Sequence, residues 1–254
     1  MSGGSGTGTP ASPASISKTV AGRRDAPFIL ERVSDPEIEP VTLAEMITHL
    51  REFTSLSVDA QTEISGLIVS AREWVERETG RALIDQTWRI TINDILPASG
   101  DVVSGFSWPA WPSSNGWQLD MIGWRHWLSR GEILLRKSPV LAITSFVVAD
   151  ALGAETAVDP TTWALTEPDS KWPRIAKLSG SSWNTGALKI EFRAGFADRT
   201  GSPGQGAEMV PMRFKQAIKL HAEAHYDRDE KMMQKLLDAA DYLIQPERSD
   251  LRLA

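Results

Sequence analysis

The sequence predicts an α+β fold: a mainly helical domain with two N-terminal helices and a long C-terminal helix, carrying a small antiparallel β insertion. Three observations lead there. Apolar residues recur at helical period over about 42–53 and 59–79 and again over 211–240. Between them, over 86–194, the period falls to two in short runs. Those runs are separated by turn-rich pieces such as Ala151-Leu152-Gly153 and Asp159-Pro160, a spacing that suits an antiparallel sheet better than alternating βαβ units.

Residues 1–40 are expected to form a flexible or extended N-terminal arm. The first 15 residues hold only Gly, Ser, Thr, Pro and Ala after Met1, with nothing to bury against the entropy of ordering. Phe28, Ile29, Leu30 and Val33 give the later part enough apolar surface to dock on a partner or to lie along the chain's own surface. A folded core over 41–240 follows. Thr42 and Glu45 have the spacing of a capping box, and Val41 and Met46 that of a hydrophobic staple, so the first helix starts here. Leu43, Met46, Ile47 and Leu50 share its buried face. The second helix carries Ile64, Leu67, Ile68, Ala71, Trp74 and Val75 as its stripe and ends at Gly80 in a left-handed cap.

Trp88, Ile90 and Ile92 then alternate with Thr87, Arg89 and Thr91 in a half-buried strand. Further strands are predicted over Glu132–Arg136, Ala142–Ala149, Thr162–Thr166, Arg174–Leu178 and Ala187–Arg193. The last helical stretch opens at Val210-Pro211 and places Phe214, Ala217, Ile218, His221, Ala224 and His225 on one face. It continues or restarts through Met232, Met233, Leu236, Leu237 and Ala240, and residues 241–254 form a C-terminal tail.

The segment 95–131 does not fit this economy, because a hairpin needs only about two to five linking residues. It holds Trp108, Trp111, Trp117, Trp124 and Trp127, half of the chain's 10 tryptophans. Each buried Trp removes on the order of 200 Å² from water, so five cannot stay exposed together on a soluble monomer. They fold onto the parent domain, form a subunit or partner interface, or stack on sugars.

Composition narrows the chemistry. Lys and Arg number 27 against 33 Asp and Glu, a net charge of −6, which argues against a dedicated nucleic-acid reader. The absence of cysteine excludes thiolate metal sites, disulfides and Cys nucleophiles. No run approaches the roughly 18 apolar residues of a membrane span. His221-Ala222-Glu223-Ala224-His225 is the one metal-like motif, but its Glu stands two residues after the first His, not directly after it, as the zinc-protease pattern requires. Packing with a satisfied ring hydrogen bond is expected for both histidines, and His49 and His126 have no motif joining them to the pair. The Gly201–Gly206 run lacks the Lys-Ser/Thr ending of a phosphate loop. Arg72, Glu73, Glu76, Arg77 and Glu78 are expected on a solvated helix face. No catalytic, cofactor-binding or metal-binding residues are assigned, and no enzyme is expected.

The order of pieces resembles a known family. Pro40-Val41-Thr42-Leu43-Ala44-Glu45, then Ala71-Arg72-Glu73-Trp74-Val75-Glu76-Arg77-Glu78-Thr79-Gly80-Arg81-Ala82-Leu83 with Gln86-Thr87-Trp88, are similar to the head-tail connector (head completion adaptor) proteins of tailed bacteriophages. So are Leu135-Arg136-Lys137-Ser138-Pro139-Val140, Ile143–Ala149, Leu188 to Phe196, and Val210-Pro211 to Tyr226. The resemblance implies a non-enzymatic virion-neck protein, assembled in a bacterial cytoplasm into a homo-oligomeric ring of about twelve copies. Its implied partners are the portal protein, a tail terminator or tail completion protein, and passing DNA in transient, non-specific contact, with no membrane and no cofactor. The Trp-rich insertion and the arm depart from the family's pattern. The expected partner interface is therefore Trp108, Trp111, Trp117, Trp124, Trp127, Phe28 and Leu30, with Leu243, Ile244, Leu251 and Leu253 at the C-terminal end, which the resemblance directs to the portal. Two other classes remain: a carbohydrate-binding tail-associated module using the Trp-rich loop, and a metal-dependent hydrolase at His221 and His225.

Overall fold

Local capping sets the first two helices. In the computed structural model, which describes residues 28–52, 56–92, 131–150, 153–178, 187–199, 206–226 and 230–248, α1 runs Leu43–Leu50 and α2 Val58–Thr79. The Thr42 hydroxyl accepts from the Glu45 N–H at 3.2 Å and the Glu45 carboxylate accepts from the Thr42 N–H at 2.9 Å, the reciprocal box expected. Val41 and Met46 are both fully buried beneath it. The helix stops at Leu50, short of residue 53, because Arg51 turns left-handed at φ 59°. Ser57 caps the start of α2, accepting from the Ala60 N–H at 3.2 Å, and Gly80 ends it at φ 69°.

The C-terminal helical stretch is two helices, α3 (Met212–Tyr226) and α4 (Glu230–Ile244), rather than one helix over 211–240. The reason is burial. One straight rod could not bring Phe214, Ala217 and Ile218 of α3 and Ala240 and Ile244 of α4 into the same core, where they lie with Ile64, Ile68, Ala71 and Val75 of α2. Helix α4 also extends through 241–244, so the expected tail begins inside the helix, and a 3-10 turn at Gln245–Glu247 follows.

The β region forms two antiparallel sheets sharing one core. Eight strands are described: β1 (Phe28–Arg32), β2 (Gln86–Ile92), β3 (Glu132–Leu134), β4 (Val140–Ala149), β5 (Glu155–Ala157), β6 (Trp163–Thr166), β7 (Arg174–Lys177) and β8 (Ala187–Ala194). The larger sheet has order β1-β2-β8-β4-β5 and the smaller β3-β7-β6. Leu188, Ile190, Phe192 and Ala194 alternate inward along β8. They meet Ile90, Ile92 and Phe146 on neighbouring strands and Ile133, Leu135 and Ile175 from the smaller sheet. Phe146 and Trp163 join the two sheets edge to face, with ring centroids 5.7 Å apart.

Two strands lie outside the expectation. Strand β5 is one, and β1, within the arm predicted as flexible or extended, is the other: Leu30 pairs with Ile90 and Arg32 with Trp88 along β2. Residues 28–32 are thus extended and built into the sheet. The helical and β cores meet at the segment 81–85, where Leu83 and Ile84 are fully buried in the helical cluster and Ala82 in the β cluster. Gly195 closes this junction at φ 151°, and a Cβ there would stand 2.4 Å from the Asp85 nitrogen.

Candidate functional site

The histidine motif does not build a metal centre among the described residues. His221 is 7% exposed and stacks on Trp74 of α2 at 4.5 Å between ring centroids. Its Nδ1 is buried without a hydrogen-bond partner among the described residues, contrary to the satisfied ring expected. Burial, with the nearby His225 and Arg77, lowers its pKa to about 4. His225 is exposed rather than packed, with its ring 4.8 Å from that of His221. Glu223 turns to the other side of α3, where its carboxylate meets His49 Nε2 at 2.9 Å and ties α3 to α1. His49 is therefore joined to the motif after all, through its Glu. No group of three or more metal-ligating side chains occurs among the described residues.

The charged run on α2 is only in part the solvated face expected: Glu73 and Arg77 are exposed, but the other side of the run is buried. Arg72 and Glu76 are 3% and 4% exposed. Arg72 donates to Glu39 at 2.8 Å and to Glu76 at 3.0 Å, and Glu76 also accepts from the Leu83 N–H at 2.8 Å and from Gln86 Nε2 at 2.6 Å. This face of α2 is covered by the chain entering α1 and by the start of β2, so one turn of helix, one loop and one strand are locked together. Burial pushes the Glu39 carboxyl up, with Arg72 opposing it. For Arg72, burial disfavours the charge, but Glu76 and Glu39 outweigh it and hold the guanidinium above its usual value.

Beside this junction lies an open cleft of about 500 Å³ lined by Leu30, Trp88, Arg32, Arg77, Arg136 and Lys137, among others. Lys137 donates to the Glu76 carbonyl at 3.2 Å, in the last turn of α2, and its ammonium lies 4.7 Å above the Trp88 ring. Burial lowers its pKa, with Glu76 opposing and Arg32 adding to the fall. Glu73 on the cleft wall binds Arg32 at 3.1 Å. The cleft thus brings together side chains already engaged with one another, and it sets no nucleophile beside a base.

A third cluster anchors the C-terminal turn. Glu247 accepts from Arg81 Nη2 at 2.9 Å and from Arg213, while Arg81 Nη1 also reaches the Ser138 hydroxyl at 3.1 Å. Arg248 meets Glu78 at 3.5 Å and also pairs with Asp241, and its carbonyl accepts from Lys171. Burial raises the Glu247 carboxyl, but the hydrogen bond and charge of Arg81 and the charge of Arg213 outweigh it and hold the group below its usual value. The chain therefore leaves the helical core towards residue 249 from a fixed point at the junction of the two cores.

Of the expected interface residues, Phe28 and Leu30 lie on β1, with Leu30 packed against the β core. Ile244 is fully buried in the helical core and Leu243 packs against it. Both are committed to the chain's own core rather than presented from a free tail, because the amphipathic pattern of α4 continues four residues beyond residue 240. Trp108, Trp111, Trp117, Trp124, Trp127, Leu251 and Leu253 lie outside the described residues. Sequence reasoning missed Glu39, Arg81, Lys137 and Glu247. Glu39, Arg81 and Glu247 each stand within three residues of a helix or its cap, which is a local signal, whereas Lys137 reaches the end of α2 only through the fold.

No protein-family model and no curated protein sequence matches the chain. Its fold is similar to that of a chain from the neck of an empty gene transfer agent (GTA) particle computed with C6 symmetry, with a TM-score of 0.62 and 22% identity, covering 87% of this chain and 95% of that one. It is also similar to a chain from the virion of the native GTA particle, with a TM-score of 0.55 and 22% identity, covering 83% of this chain and 93% of that one. At this identity the likeness is one of fold.

Proposed function

We propose that this chain is a structural, non-enzymatic adaptor of the neck of a phage or phage-like particle, forming a ring beneath the portal that links capsid to tail and lines part of the DNA conduit. The observation that carries the proposal is the extent of the likeness: 87% of this chain matches 95% of a chain from a particle neck, so the shared architecture is the whole arrangement of helices and sheets. The six-fold symmetry of that neck favours repetition of this chain around an axis, with heterologous contacts closing into a ring; a copy number of about twelve is what the sequence resemblance implies. The order of motifs in the sequence supports the same reading independently. A wall of net negative charge is compatible with passing DNA, since tight phosphate binding would retard it.

The portal and a tail completion protein are the partners this role requires. The turn at Gln245–Glu247 gives residues 249–254, with Leu251 and Leu253, a fixed point of departure towards the portal. The Trp-rich insertion is assigned to contact with a neighbouring subunit or tail component. Deleting residues 98–129 tests that assignment: ring assembly or tail attachment should fail while the remaining core still unfolds cooperatively, and unchanged assembly would refute it.

A further inference from the structure

Strand β1 ends the larger sheet, and among the described residues no strand pairs with its outer edge. Sheets usually protect such an edge with Lys, Pro or a bulge. Here the edge reads Phe28-Ile29-Leu30-Glu31-Arg32, and pairing with β2 continues past it through the Val33 N–H to the Thr87 carbonyl at 2.8 Å. On the sheet face away from the β core, Ile29 is 44% and Val33 46% exposed, and the Glu31 side chain between them is 55% exposed. An edge without a strand partner among the described residues thus carries the pattern apolar, acidic, apolar, with Glu31 also 3.9 Å from Arg89 of β2.

The preceding chain contains its complement. Ser15-Ile16-Ser17-Lys18-Thr19-Val20 alternates at period two, with Ile16, Lys18 and Val20 on one side: apolar, basic, apolar. We infer that a second copy of this chain lays its residues 15–20 along the outer edge of β1, exchanging strands between copies. The pattern is symmetric about Lys18, so Lys18 faces Glu31 whether the added strand runs parallel or antiparallel, and Ile16 and Val20 cover Ile29 and Val33 in either direction. Backbone hydrogen bonds supply affinity and the three side chains set the register.

One feature favours another copy over the chain's own arm. Folding back would need residues 21–27 as the loop, longer than the two to five or so usual in hairpins. The residues from Val20 to Phe28, if extended, span roughly 26–29 Å, enough to reach an adjacent copy. The exchange does not depend on the neck role, since a strand-exchanged pair in solution would satisfy it.

The chain has no cysteine, which gives a clean background for the test. Full-length chains carrying K18C are mixed with size-tagged chains carrying E31C, oxidised mildly and separated without reductant. The expected result is a disulfide-linked dimer of the two different chains at several-fold higher yield than from K18C mixed with D59C, Asp59 lying in the first turn of α2. Equal yields would overturn the inference. So would a bond formed only within one chain in the double variant K18C/E31C, which would show the arm folding back. As a second readout, K18E should weaken self-association in sedimentation several-fold and K18E/E31K should restore it; no restoration would refute the Lys18–Glu31 register.

Discussion

Burial of the His221 ring against Trp74 links the contact between α2 and α3 to pH. The folded pKa, about 4, lies below the ordinary value of 6.5, so the folded chain holds this ring neutral. Its contribution is complete above about pH 6.5 and is lost as pH falls through that value towards 4, because the unfolded chain binds the proton more readily. A shift of this size corresponds to on the order of 3 kcal/mol. Urea unfolding at pH 7 and pH 4.5 should show a larger loss for the wild type than for His221→Phe, which keeps a ring on Trp74 and removes the titration. Equal losses would contradict this account. Glu76 makes the second residue-scale prediction. Its carboxylate serves Arg72, the Leu83 N–H and Gln86 together, so Glu76→Ala leaves a buried guanidinium short of one partner and should cost about 3 kcal/mol in chemical denaturation. Replacing Arg72 and Glu76 together by Met and Leu should recover much of that loss.

The elements differ in how far the sequence alone reveals them, and the difference follows the range of the interactions that fix them. Helix α1 was legible because its cap, staple and apolar face lie within ten residues of one another. The alternation in β2 and β8 was legible because each strand buries one face. Strand β1 was not, because its partner lies some sixty residues away and a run of five residues flanked by Pro27 and Val33 resembles a docking arm. All three residues of strand β5 are exposed, and it carries no apolar pattern. Arg72 and Glu76 stand at i and i+4 like any surface pair, and their burial depends on Glu39 and Gln86, which helical periodicity does not report. At the C-terminal end the apolar period runs on through Leu243 and Ile244, past the expected bound at 240, and Ile244 completes the helical core. The turn after α4 offers a test at this scale. The depressed pKa of Glu247 means that the clamp to Arg81 and Arg213 is intact above the ordinary carboxylate range and is lost as pH falls through the lowered value. Glu247→Gln should speed amide hydrogen exchange in 241–248 while leaving α2 protected, whereas unchanged exchange would show that packing alone holds the turn.

At the scale of the molecule, two small cores share one short junction, and the chain's additions attach at its margins: an arm entering the edge of the larger sheet, an insertion between β2 and β3, and a C-terminal end leaving beside Arg81. The α+β architecture was readable from period changes alone, whereas the family resemblance rested on the order of pieces, since each helix or strand taken singly is generic. The expected interface was the least legible part. Its aromatic residues fall within the insertion, and Leu243 and Ile244 proved to belong to the chain's own core. The measurement that tests the central claim most directly is electron microscopy of the purified chain mixed with portal rings from its own particle. An adaptor of the neck should add a ring of density on one face of the portal, with cyclic symmetry and about one copy per portal subunit. Portal rings left bare at saturating concentrations of a folded chain would contradict the account.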